Sequence, residues 1–97
     1  MLEKLTVDDF KPLTGEAFVL TEQGIELQLE RVMPVMESER ARLSRQPFSL
    51  IFRGPSTPHL PQRIYSLEHR SFTEPLEIFL VPVGHSRDGL EYEAVFS

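Results

Sequence analysis

The C-terminal stretch, residues 75–97, constrains the fold of this chain more than any other segment. An apolar run at residues 76–83 precedes the turn sequence at residues 84–89, and a second run follows at residues 90–96. In the second run apolar residues alternate with glutamates, and this period of two is typical of a half-buried strand. The Asp-Gly pair in the turn predicts that the two runs form a β-hairpin. The hairpin therefore favours a mainly β fold.

Two strands are predicted in the first third of the chain. The segment 16–21 carries Phe18 and Leu20 on one face, and the segment 25–30 alternates without interruption after a tight turn. The alternation breaks at Glu30 and Arg31, which predicts a bulge or a strand end there.

Two more strands precede the hairpin. The segment 48–52 places Phe48 and Phe52 inward, and the segment 63–69 places Tyr65 and Leu67, with His69 after them, on one side. Phe79 is assigned to the interior together with these aromatic residues. The count is thus about six strands.

The remaining segments give a helix and a loop. Thr6 followed by two aspartates indicates a helix start, and Pro12 and Gly15 indicate its end, so a short helix is predicted at residues 6–12. We expect it to be a plug or a lid packed on the sheet. Residues 34–46 are rich in charge and lack a clean period, which predicts a long exposed loop.

These elements predict one β domain over residues 1–97. Six short strands must cover their apolar faces and protect their edges, and one short helix is too small to do so. The sequence therefore favours about six antiparallel strands as a small barrel or a compact sandwich, with the barrel preferred.

Composition excludes several classes of function. The chain has 97 residues and no cysteine, so disulfides and zinc–thiolate sites are excluded. A formal net charge of −5 argues against binding to nucleic acid. No apolar run is long enough to span a membrane, and no secretory signal is visible, so we expect a cytoplasmic protein without a membrane partner.

The side chains show no pattern of catalysis. His59, His69 and His85 have no metal-like spacing, and Glu91 and Glu93 fit the solvated side of a strand. We therefore predict no enzyme activity, no cofactor and no metal. An enzyme would need His59, His85 and a carboxylate to meet across loops.

The best candidate surface is the loop at residues 53–62, which holds three prolines and one glycine. Proline restricts the backbone, so such a loop binds at a lower entropic cost than a flexible one. Its alternative is a rigid crossover between strands. The predicted partner-binding residues are Arg53, Pro55, His59, Leu60, Gln62 and Tyr65.

The chain contains an ordered set of short motifs that together resemble those of a known family. Residues 47–50 (PFSL), 52–55 (FRGP), 60–62 (LPQ), 65–69 (YSLEH), 79–84 (FLVPVG) and 92–96 (YEAVF) occur in this order. Together they resemble a family of bacterial single-domain proteins of about this length, known as a domain of unknown function. The resemblance covers roughly residues 10–97 but not 34–46. It implies association with phage-tail-collar-like or microcystin-dependent-protein-like components, and it carries over no catalytic residue.

The first functional hypothesis is a non-catalytic structural or interaction protein that docks on a larger bacterial or phage-tail-like component. Exposed strand edges would also allow a homo-oligomer. The alternative is a small-molecule or carbohydrate-binding barrel with His59, His85 and Asp88 at one rim and a pocket lined by Tyr65 and Tyr92.

Overall fold

A computed structural model of the chain describes residues 5–34, 47–86 and 88–96. Helix α1 spans Val7–Phe10, and a single 3₁₀ turn, Lys11–Leu13, follows it. The six strands are β1 (Ala17–Leu20), β2 (Ile25–Pro34), β3 (Phe48–Gly54), β4 (Arg63–Glu68), β5 (Leu76–Ser86) and β6 (Gly89–Phe96).

The strands close a barrel in the order β1-β2-β3-β6-β5-β4, and all neighbouring strands are antiparallel. Two meanders, β1-β2-β3 and β4-β5-β6, are joined at two seams. The β3–β6 seam is continuous from Phe48↔Phe96 to Gly54↔Leu90. The β1–β4 seam has only the pairs Val19↔Glu68 and Leu20↔Leu67, because β4 ends at Glu68, opposite Val19. The predicted barrel of six antiparallel strands with a short N-terminal helix is confirmed, and the sandwich is excluded.

Inward side chains from all six strands fill the barrel. Phe18, Phe48 and Phe52 are fully buried, as the alternation predicts, and so are Leu67 and Leu80. The interior is therefore packed with apolar side chains, and the burial of each contributes roughly 1.5–3 kcal/mol to folding.

Helix α1 closes one end of the barrel. The fully buried ring of Phe10 lies 5.8 Å from Phe48, 5.6 Å from Phe96 and 5.7 Å from Phe72, measured between ring centroids. The expected plug is confirmed, although the α-helix is shorter than residues 6–12 because Pro12 lies within the 3₁₀ turn.

Two boundaries differ from the sequence-based expectation. The β2–β3 register shifts between Leu29 and Arg31, so the predicted bulge is present, and β2 continues beyond it to Pro34. Pro34 therefore belongs to a strand, and the rest of the predicted loop lies outside the described residues. In the hairpin, β5 reaches Ser86, which pairs with Gly89, so the expected six-residue turn is too long.

The inward assignment of Phe79 is wrong. Its side chain is 48% exposed, whereas Ile78 and Leu80 on either side of it are buried. Glu77 lies on the same exposed face as Phe79, so its charge indicates the phase of this strand, which the apolar residues 78–83 alone do not.

Gly89 gives a test of how the β3–β6 seam closes. Its φ is +139°, and a Cβ built there would overlap the backbone oxygen of Gly54. We expect Gly89→Ala to lower the free energy of unfolding by roughly 1–3 kcal/mol, as measured by urea denaturation.

Gly84→Ala is the matched control, because a Cβ at Gly84 meets no atom within 4 Å. We expect its effect to stay within about 0.5 kcal/mol. Equal losses in the two variants would contradict the close approach of Gly89 to Gly54.

Candidate protein-interaction surface

The loop that joins the two meanders is anchored to the barrel. The Leu60 side chain is only 5% exposed and packs in the core. The Leu60 backbone N–H donates to the Tyr92 hydroxyl at 3.1 Å, and the Tyr65 hydroxyl donates to the Pro61 carbonyl at 2.6 Å. These contacts fix the base of the loop, while residues 55–59 are exposed.

Five of the six predicted partner-binding residues divide into an exposed group and a buried group. Pro55, His59 and Gln62 are exposed, whereas Leu60 and Tyr65 are buried. The buried pair supports the loop from inside, because its side chains face the barrel interior.

Arg53 belongs to a polar network on the outside of the first meander. Its guanidinium lies 3.3 Å from Glu30 and 3.8 Å from Asp88, and it also donates to the Gln28 side chain. The Arg53 side chain is 28% exposed. We conclude that the Arg53 side chain connects β2, β3 and the β5–β6 turn. Its guanidinium is therefore already engaged within the protein.

The two tyrosines of the predicted binding pocket are also buried, with Tyr65 3% and Tyr92 1% exposed. Their hydroxyls bond to the loop backbone, and both residues belong to the same core cluster as Phe18, Phe48 and Phe52. The barrel centre is thus occupied by the protein's own side chains, which speaks against a ligand there.

His69 forms a hydrogen-bonded dyad with Glu16, in which the His69 side chain is 3% exposed and the Glu16 side chain 37% exposed. The His69 Nε2 lies 2.7 Å from Glu16 Oε1, and the Ser71 backbone N–H donates to Nδ1 at 3.0 Å. Since Nδ1 accepts a hydrogen bond, the proton of the neutral ring is assigned to Nε2, which donates to Glu16. Both ring nitrogens are engaged, so the dyad orders the turn after β4 and offers no free base.

A cleft of about 370 Å³ opens beside this dyad, where β1 and the turn after β4 separate. Its walls include Ala17, Val19, Phe72 and Arg70. His59 and His85 are exposed on other parts of the chain. Among the described residues no three His, Asp or Glu side chains are grouped to hold a metal ion.

The most distinctive surface lies on the outside of the second meander. Ile64, Phe79 and Val95 are 57%, 48% and 63% exposed. Ile64 pairs with Phe79 across β4 and β5. The β5–β6 ladder ends at the pair Val81↔Glu93, and Phe79 on β5 and Val95 on β6 each lie two residues beyond that pair. We name Ile64, Phe79 and Val95 the apolar stripe.

The apolar stripe contrasts with the first meander, whose exterior carries Glu26, Gln28, Glu30 and Arg53. Of the five exposed large apolar side chains among the described residues, four lie on β4–β6 and only Met33 lies on β2. Sequence reasoning missed this surface because it assigned Phe79 to the interior. The signal was Glu77, whose charge two residues before Phe79 indicates that this face of the strand is outward.

These features define a small closed β-barrel with one apolar exterior face. The chain belongs to the family described as domain of unknown function DUF6916, which it matches over residues 5–96. Comparisons with curated proteins and with solved structures give no match. Within the described residues no helix has the length and apolarity needed to cross a membrane.

Substitution of His69 tests whether its pair with Glu16 stabilises the fold. We expect His69→Ala to speed hydrogen exchange at the Ser71 amide and to lower the free energy of unfolding by about 1–3 kcal/mol, because it removes two hydrogen bonds and buried ring contacts. His59→Ala is the control, since His59 is exposed. Unchanged exchange at Ser71 in His69→Ala would contradict the assigned hydrogen bond.

The pH dependence of stability tests the role of the Tyr65 hydroxyl in anchoring the loop. Burial raises the pKa of the Tyr65 hydroxyl above 10.0, while the Arg63 charge opposes this and Tyr92 adds to it. The unfolded chain therefore releases this proton first, so stability is retained below about pH 10 and falls as the pH rises further.

We expect Tyr65→Phe to show a shallower loss of stability than the wild type between about pH 9 and pH 11, as measured by urea unfolding across that range. Identical slopes in the two proteins would mean that Tyr65 ionises equally in the folded and unfolded states.

Proposed function

We propose that this protein is a non-catalytic interaction module that docks on a larger protein through the apolar stripe. The observation that supports the proposal is the concentration of exposed apolar side chains on one half of the barrel. Contiguous exposed apolar surface on a small soluble domain is typical of protein interaction sites.

The barrel is well suited to hold this surface rigid. Ile64, Phe79 and Val95 project from three adjacent strands whose opposite faces are buried in the core. A rigid sheet face loses little conformational entropy on binding, so more of the interaction energy appears as affinity. Phe79 is the expected central residue because it lies on β5, the middle one of the three strands, and large aromatic residues contribute strongly to interfaces.

Two further expectations accompany the proposal. A phage-tail-like or fibre component as the partner rests on the sequence resemblance, and the cytoplasmic location rests on composition. Both stay predictions. The exposed loop tip at residues 55–59 is the competing contact surface, because its anchored base also limits its motion.

Photo-cross-linking from defined positions tests the proposal. We would place p-benzoyl-phenylalanine at Phe79, at His59 on the loop tip and at Glu26 on the polar exterior, and irradiate each variant in its native host. We expect a discrete adduct from position 79 and none from position 26. We also expect Val95→Asp to lower the yield at position 79 by at least about fivefold, because a charge enters the stripe.

The thermal stability of each variant serves as the control for folding, since surface substitutions of this kind change the free energy of unfolding by about 0.5 kcal/mol or less. Adducts from position 59 alone would move the docking surface to the loop. Equal adducts from all three positions would indicate non-specific contact and contradict the proposal.

A further inference from the structure

We infer that the surface which docks on the apolar stripe carries lysine or arginine side chains around an apolar centre, and that it is not a second copy of this chain. This inference rests on the proposed function and specifies the chemistry of the partner. The evidence for it is the position of the charged side chains around the apolar stripe.

Glutamates lie on both sides of the stripe. Glu77 is two residues before Phe79 on the same face of β5, and Glu68 lies beyond it at the end of β4. On the other side Glu93 pairs with Val81, the next outward residue of β5 after Phe79. The apolar centre is thus bordered by carboxylates above and below.

Lysine and arginine are scarce within the strands of the second meander. β4, β5 and β6 contain four glutamates, of which Glu91 pairs with Arg53 of β3, and Arg63 is the only lysine or arginine in these three strands. The Arg63 guanidinium lies 5.1 Å from the centre of the Tyr65 ring and 3.6 Å from a Glu22 oxygen. It therefore interacts at the end of β4 with groups that are not part of the stripe.

This charge pattern discriminates between two occupants. If two copies paired through the stripe, the glutamates of one would approach those of the other, because carboxylates border the stripe on both sides. Like charges brought together at an interface are unfavourable. A partner with basic side chains at its rim would instead be attracted from a distance and oriented on approach. The net charge of −5 for the whole chain also disfavours pairing of two copies and favours a basic partner.

The experiment uses the full chain with p-benzoyl-phenylalanine at position 79. We would compare its adduct yield with that of the same protein carrying Glu77→Lys and Glu93→Lys. The matched control carries Asp8→Lys and Glu26→Lys, which change the net charge equally at exposed positions outside the second meander.

We expect the Glu77/Glu93 pair of substitutions to lower the yield at limiting partner concentration by about tenfold, and the control pair to change it less than about twofold. Raising the salt to about 0.5 M should lower the wild-type yield, since exposed charges are then screened. Mass spectrometry of the adduct should place lysine or arginine beside the cross-linked apolar residues.

Three results would overturn the inference. They are an adduct between two copies of this chain, a cross-linked peptide without basic residues, and a yield that the Glu77/Glu93 substitutions leave unchanged. In the last case a continued loss of yield with Val95→Asp would show that the stripe docks a partner by apolar contact alone. Absence of any adduct from position 79 would instead count against the proposed function itself.

Discussion

Closure of the sheet is the constraint on which the rest of this structure depends. A domain of 97 residues has room for one small core, and six strands whose inward side chains share one interior provide it. The β3–β6 seam is long and regular, whereas the β1–β4 seam has two residue pairs. Both ends of the barrel then need a cover, and helix α1 and the loop carrying Leu60 provide one each.

In this barrel the buried tyrosines and His69 have structural roles. The Tyr65 and Tyr92 hydroxyls bond the loop backbone, and His69 bonds both Glu16 and the turn after β4. Buried polar groups of this kind are stable only when their hydrogen bonds are made within the protein. Tyr65, Tyr92 and His69 are therefore engaged in holding the fold, whereas His59 and His85 are exposed.

Much of the fold could be read from the sequence because its strands are half-buried and alternate cleanly. The β5–β6 hairpin, the bulge after Leu29 and the burial of Phe18 and Phe52 all follow from local patterns. The candidate site could not be read in the same way. In residues 78–83 both faces are apolar, and only the charge of Glu77 on the Phe79 face indicates that this face is outward. The anchoring of Leu60 is also a long-range feature, because its backbone N–H donates to Tyr92, which lies 32 residues away along the chain.

Methyl NMR gives the most direct test of the claim that the outer face of the second meander binds a partner. Ile64, Val83 and Val95 carry exposed methyl groups on this face, and Leu27 and Leu29 supply buried methyl groups in the first meander as references. On titration with the partner identified by cross-linking, the docking proposal predicts that the signals of Ile64 and Val95 shift or broaden first and that the reference signals stay in place. Unchanged Ile64 and Val95 signals, with shifts confined to residues at the loop tip, would contradict it.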